Sequence, residues 1–524
     1  MSKVSAFLRK KPLIASLMIL LLVLTAGCSG SNNASQNTGK NQVVKGGTFV
    51  YGRPAPVTSF DEYSEITSNN AFAIDKVFEP LVAFNKDGKI GNWLAKSHSI
   101  SKDGLTYTFV LRDGLKFSNG TDVTAKDAAF SIQQHLIDKG PLAISAQVAS
   151  IKAKDNKTLV ITLKEPYTPF LSELANFSNG ILPNNFGGVS EKQFFKKPIG
   201  TGPFVVQKWD PAGDLTFVKN KYYWQKGKPY IDKLVYKLIE DDSQAINQLK
   251  AGEVNAIESL PLENANELKQ NAGTGVLTSG SWSIEQLFFN TLDKHFSDVH
   301  VRRALALAID RPALTKALTF GYAEPANSLL PPAILYNTNK TIKALNFDTN
   351  AAKKELAKSA YPHGFSTNLL IASGNSTTAH LAQILQQAGK TIGININIES
   401  IELASFRDRF FAYNFSTMIN GGQADYPDAD SILAFQTDPK GFSKSYWTHY
   451  TNNNVTKLLY EGQKTPDGPA RAKIYANLQQ ILADEVPYIP LYYPDVLIGV
   501  RSSVKGLVVL PNGSVRFDSV QITK

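Results

Sequence analysis

Apolar and polar residues alternate most cleanly at 101–114, where Tyr107, Phe109 and Leu111 share one side and Asp103-Gly104 and Asp113-Gly114 stand at the ends. Alternation bounded by Asp-Gly turns predicts a β-hairpin strand. A second hairpin is predicted at 151–163, around Asp155-Asn156-Lys157. Between the two, Thr124 stands as the cap of a helix over 125–138. Upstream, 46–52 is a short β-type run and 70–84 a helix leading into Val77-Phe78-Glu79-Pro80-Leu81-Val82. In 299–311, Val301, Leu305, Ala308 and Ile309 fall on one helical face, with Asp310 and Pro312 marking its end and the next start. An amphipathic piece at 351–358 precedes strands at 364–372 and 392–401 around a helix at 378–390. This β–α–β alternation predicts a mixed α/β unit. A helix at 473–482 and a proline-stiffened apolar run at 486–493 close the pattern.

The apolar run 13–24 is of another kind. It is shorter than the roughly 20 residues a helix needs to cross a bilayer, and Lys3, Arg9, Lys10 and Lys11 precede it without any acid. A basic patch, a short apolar core and small residues describe a secretory signal peptide. Here Thr25-Ala26-Gly27 leads into Cys28, the only cysteine. The segment resembles a bacterial lipobox, with Thr25 where Leu, Val or Ile is commoner. That resemblance implies a signal peptide over 1–27, acylation of the Cys28 thiol, and a chain lipid-anchored to the outer face of the cell membrane. Residues 28–45 are polar and of low complexity, as expected of a flexible tether.

About 500 residues remain beyond Cys28, enough for two or three domains. The content, 43% hydrophobic and 19% charged, is that of a globular chain. Four of the bases behind the net charge of +10 precede Cys28, leaving a thinly spread surplus that does not mark a nucleic-acid binder. With Cys28 acylated, neither disulfides nor thiolate metal sites are available. Metal ligation finds little support: the histidines are scattered apart from His295 and His300, and Asp428-x-Asp430 lacks the glycine and distal glutamate of a calcium loop. Asp428 and Asp430 read instead as caps of a helix starting near Ser431, and Arg302 and Arg303 as solvated. Gly389-Lys390-Thr391 lacks the earlier glycine of a phosphate loop, where Ile384 stands. No Gly-x-Ser-x-Gly or His-Glu-x-x-His motif is found, so no enzyme, metal or cofactor is expected.

Six stretches in order carry a resemblance. Asp103-Gly104-Leu105-Thr106-Tyr107 through Lys116-Phe117-Ser118-Asn119-Gly120, followed by Val123-Thr124-Ala125-Lys126-Asp127-Ala128, is similar to the signature of the family 5 extracellular solute-binding proteins, the peptide and nickel receptors of ABC importers. Gly200-Thr201-Gly202-Pro203, Tyr222-Tyr223-Trp224, Leu249-Lys250-Ala251-Gly252, Phe289-Asn290-Thr291 and Val301-Arg302-Arg303-Ala304-Leu305 follow in family order. The resemblance implies a two-lobed periplasmic-binding-protein-like α/β fold (type II, cluster C) with an extra subdomain inserted in the first lobe. The expected division is 46–80, 199–295 and 491–524 for the first lobe, 81–198 for the insert and 296–490 for the second lobe. The implied function is that of a monomeric receptor capturing short peptides between its lobes for an ABC permease.

The implied site centres on Asn420-Gly421-Gly422-Gln423-Ala424-Asp425-Tyr426. In peptide-binding relatives the matching aspartate pairs with the peptide's free α-amino group, a role the resemblance gives to Asp425. Gly421, Gly422 and Gln423 bring backbone close to a ligand. Gly422 stands where relatives often have Trp, which implies a different or wider pocket. Gln423 excludes the cysteine bridge some relatives form to the stretch near Trp282. Thr67, Ser68 and Asn69 are expected as a backbone edge for an extended peptide, and Trp282 and Tyr492 (or Tyr493) as aromatic walls. Relatives holding tripeptides use arginines for the ligand carboxylate; Phe410 and Ile419 sit near those places, with Arg409 adjacent. Two alternatives stay open: the same fold binding a nickel chelate, haem or oligosaccharide, and a secreted peptidase.

Overall fold

The computed structural model describes residues 43–44, 46–63, 67–137, 146–441 and 443–523. The expected signal peptide, Cys28 and most of the expected tether lie outside the described residues. At the tether's end, Val43–Val44 pairs antiparallel with Thr523 and Ile522, so strand pairing begins before the expected start at Gly46.

The two predicted hairpins join in one antiparallel sheet, in the order Ala95–Ile100, Thr106–Leu111, Thr158–Leu163, Val148–Ala153. Phe109 opposes Leu159 and Tyr107 opposes Ile161, and with Leu111 and Leu163 they are buried. Helix Ala125–Ile137 covers this face through Ala125, Ala128 and Ile132. Each fully buried large side chain of this layer contributes about 1.5–3 kcal/mol. Thr124 starts the helix as expected; the Asp127 carboxylate accepts from both its N–H and its hydroxyl at 2.7 Å.

A twelve-stranded mixed sheet carries the rest of the β structure. At one end parallel pairs join Phe365–Ala372 to Ile394–Ile401, with helix Ser376–Thr391 between them in sequence, which is the predicted β–α–β unit. At the other end Thr48–Arg53 pairs parallel with Lys233–Leu238 and Ala256–Ile257. The predicted apolar run at 486–493 belongs to a longer strand, Tyr488–Arg501, that joins the two ends. Its first half pairs with Ser283–Phe289 and Ala323–Pro325, its second with Ala256–Ile257 and Thr274–Gly280. The sheet therefore changes partners at Ser281-Trp282 and at Pro494-Asp495, whereas the expected lobe boundaries stood at 295/296 and 490/491.

Helices Val299–Ala308 and Arg311–Thr319 occupy the predicted places, and Asp310 caps the second by accepting from the Ala313 N–H at 2.9 Å. The expectation of a solvated Arg302 does not hold. Arg302 is buried, and its guanidinium donates to the carbonyls of Phe296, Ser297, Glu485 and Val486. The carbonyls at the end of helix Pro469–Glu485 lack intrahelical donors, and a five-donor side chain meets them. Arg303 is the more exposed and donates to Asp484 O.

Asp428 caps helix Ala429–Thr437 as predicted, accepting from the Asp430 N–H at 2.9 Å. It also takes a two-pronged ion pair from the fully buried Arg471, at 2.6 and 2.8 Å, which ties the start of this helix to helix Pro469–Glu485. Removing one partner of such a buried pair leaves the other charge uncompensated. Arg471→Ala is expected to lower unfolding stability by about 3–5 kcal/mol, read as a fall in the urea midpoint at unchanged slope. A loss under 1 kcal/mol would contradict this.

Candidate functional site

Strand Thr417–Gln423 ends beside the site, and Ala424 turns the chain: it is fully buried, and its N–H donates to Trp282 O at 3.0 Å. Asp425 follows, its own N–H donating to the Ser431 hydroxyl at 2.9 Å in the first turn of helix Ala429–Thr437. Its carboxylate is thus fixed near a helix N-terminus, where negative charge is favoured. The side chain is open to a cleft yet surrounded by protein, and it has no side-chain partner among the described residues. Loss of hydration pushes its carboxyl up to about 6.

Asp425 and Phe435 line two cavities, of about 560 and 250 Å³. The smaller is walled by Ser68, Phe72 and Phe177 on one side and by Gly422, Gln423 and Tyr446 on the other. The larger lies between the hairpin-bearing segment (Tyr167, Glu173, Asn176, Ser178, Asn179) and the helices after Asp425 (Asp430, Ser431, Asp438, Tyr460, Gln463). Asp430 does not cap a helix as expected. It is buried and accepts from Tyr167 and Gln463 at 3.0 Å each, and burial followed by the Asp428 charge pushes its carboxyl up to about 7.

Four of the predicted residues meet at the smaller cavity: Ser68, Gly422, Gln423 and Asp425. Gln423 donates to Asn512 O at 2.8 Å, tying this wall to the C-terminal segment. Gly422 lines this cavity, but a side chain in its place would point away into filled space. A Cβ there would come within 2.5 Å of Gln436 Nε2 and 2.8 Å of Gln286 Nε2, so two buried amides occupy that space. Gly421 stands back from both cavities, its carbonyl accepting from Tyr446 at 2.8 Å. Thr67 and Asn69 flank Ser68 without lining either cavity; the Asn69 carbonyl accepts from Arg53 at 3.0 Å.

The expected aromatic walls are not walls. Trp282 is fully buried where the sheet changes partners, its ring 4.7 Å from that of Phe84. Tyr492 and Tyr493 are buried too, Tyr492 in a core with Leu287 and Phe289. These residues lie at or next to the two places where the sheet changes partners, and their side chains are taken into the core there. Phe410 and Ile419 are core residues, and Arg409 pairs with Glu399. None of these three places lines either cavity. His295 stacks on Phe365 at 4.1 Å while His300 bonds Glu355 at 2.7 Å, so the close pair in sequence parts in space. Among the described residues no group of three potential metal ligands occurs, and no helix is long and apolar enough to cross a membrane. The wall at 167–179 escaped the sequence reading. Its one local signal is the polar Asn176, Ser178 and Asn179 within an apolar stretch.

The profile of the bacterial extracellular solute-binding proteins, family 5 (middle region), matches residues 89–444, more than half of the chain. The glutathione-binding protein GsiB of Escherichia coli is 28% identical over 485 residues, covering 89% of this chain and 92% of that protein. The DppA periplasmic binding protein of Helicobacter pylori, solved with the peptide STSA, is 28% identical with a TM-score of 0.81, over 92% of this chain and 99% of that one. NikZ of Campylobacter jejuni, solved with Ni(L-His), is 25% identical with a TM-score of 0.77, over 89% and 97%. With its mixed α/β architecture matching two-lobed binding proteins and its profile match spanning most of the sequence, the chain belongs to the family 5 bacterial extracellular solute-binding proteins, substrate-binding components of ABC importers and not enzymes.

Proposed function

We propose that the protein captures short peptides by their free amino terminus, with Asp425 as the anchor, and delivers them to a membrane permease. The observation that carries this reading is the Asp425 carboxylate itself, its backbone held by Ser431, open to the cleft and without a cationic partner among the described residues. A carboxylate that has lost part of its hydration is costly to keep charged until a cation joins it. An α-amino group supplies that cation. Ser68, Gly422 and Gln423 would take backbone contacts beside it. The peptide ligand of the DppA relative supports the class, and glutathione, named for GsiB, is itself a peptide with a free amine.

We divide the lobes at the two places where the sheet changes partners, 281–282 and 494–495, with 81–198 as the insert. Rotation about these crossings would close the cleft on the ligand. The receptor acts as a monomer, held outside the membrane by lipid on Cys28.

Asp425→Ala is expected to weaken binding of a free-amine tripeptide by about 2 kcal/mol or more, roughly 30-fold, in isothermal titration. Unchanged affinity would overturn the anchor. The pH dependence has a fixed sign. The anchor works as a carboxylate, so affinity is full above its pKa of about 6 and falls as pH drops through that value. Between pH 7.5 and pH 5 wild-type affinity should fall roughly tenfold; a flat profile would contradict this.

A further inference from the structure

The smaller cavity beside Asp425 draws aromatic side chains from both of its walls. Phe72 of helix Ser68–Val77 and Phe177 line one side, Phe435 of helix Ala429–Thr437 and Tyr446 the other. All four are half-buried, and neither Phe72 nor Phe435 packs into a hydrophobic core formed by the described residues. Ala71 and Ile432 complete the apolar lining. Among the described residues that line this cavity, Asp425 alone carries a charge.

The polar groups of the wall are largely bonded to the protein itself. The Gln423 amide donates to Asn512 O at 2.8 Å, the Asn512 side-chain oxygen accepts from the Ser514 N–H at 3.1 Å, and the Tyr446 hydroxyl donates to Gly421 O at 2.8 Å. The last bond also holds the Tyr446 ring in place, with the rings of Phe288 and Phe435 against it at 5.0 and 4.8 Å between centres. Apolar surface next to one carboxylate is therefore what the cavity chiefly offers. Its volume of about 250 Å³ is below the roughly 300–1,000 Å³ of a pocket that encloses a whole ligand. That size suits a single side chain.

We propose that the smaller cavity is a subsite for an aromatic or bulky aliphatic side chain, so that the preferred ligands are short peptides with phenylalanine or leucine among their first two residues. The proposal rests on the amino-terminal anchoring at Asp425 described above, since that residue stands in the wall of this cavity. Moving such a side chain from water onto apolar walls is worth roughly tenfold or more in affinity when its burial is complete. A ring gains further from offset or edge-on packing against the rings already there. An amide side chain would give up its water where few wall groups are free to bond it. A carboxylate would meet the charge of Asp425 and is disfavoured.

The test is isothermal titration of the wild-type protein with Phe-Gly-Gly and Gly-Phe-Gly, their Leu, Ala, Gln and Glu counterparts, and N-acetylated forms of each. The better-placed phenylalanine peptide is expected to bind at least tenfold tighter than its alanine and glutamine counterparts. Phe72→Ala and, from the opposite wall, Phe435→Ala should each reduce the phenylalanine-over-alanine ratio at least threefold. Retained binding of the alanine peptide shows that a variant has folded. A ratio left unchanged in a folded variant would overturn the subsite. So would a wild-type ratio below tenfold with N-acetylation still abolishing binding, and both results leave the amino-terminal anchor intact. Equal binding of free and N-acetylated peptides, or binding of none, would overturn both.

Discussion

Strand Tyr488–Arg501 belongs to both ends of the large sheet, and the arrangement of the cleft depends on it. Its backbone groups are taken up by Ser283–Phe289 along one half and by Thr274–Gly280 along the other. Detaching either half would leave a row of buried donors and acceptors unpaired. The second crossing, at Ser281-Trp282, does more than connect. The Trp282 N–H donates to Pro511 O at 2.9 Å, and its carbonyl accepts from Ala424, the residue before Asp425. One buried residue thus ties the C-terminal segment to the turn that carries Asp425.

Asp425, Asp428 and Asp430 lie within six residues and have three different fates. Asp428 is spent on structure, as both a helix cap and the partner of Arg471. Asp430 is buried among neutral donors and bridges to Tyr167 of the opposite wall. Asp425 is left to the cleft. Loss of hydration raises the carboxyls of Asp425 and Asp430, to about 6 and about 7; at Asp430 the Asp428 charge adds to the rise and Arg471 opposes it.

Much of this was legible in the sequence. The hairpins around Asp103-Gly104 and Asp155-Asn156, the helix behind Thr124 and the strand with Ile394, Ile396 and Ile398 follow from period and turn chemistry, which are local. The 420–426 stretch stood out through its glycines and acid and through its resemblance to the ligand-binding segment of peptide-binding relatives. What escaped depends on contacts between segments far apart in the chain. Arg302 reads as a surface residue until the end of helix Pro469–Glu485, more than 160 residues on, brings it carbonyls to cap. Trp282 and Tyr492 resemble ligand walls by residue type, yet both are buried in the core at or near the crossings. The wall formed by Tyr167, Asn176 and Asn179 comes from a segment some 250 residues before Asp425, and no spacing rule reaches that far.

The most direct test of amino-terminal capture is a paired thermal-shift measurement with one tripeptide, free and N-acetylated, and with glutathione and nickel-histidine alongside. A ligand at about 100 times its dissociation constant stabilises a protein by roughly 2.7 kcal/mol, which is readily seen. The account predicts that the free tripeptide raises the melting temperature and that its N-acetyl form does not. Stabilisation by nickel-histidine alone, or by free and acetylated peptides equally, would contradict it.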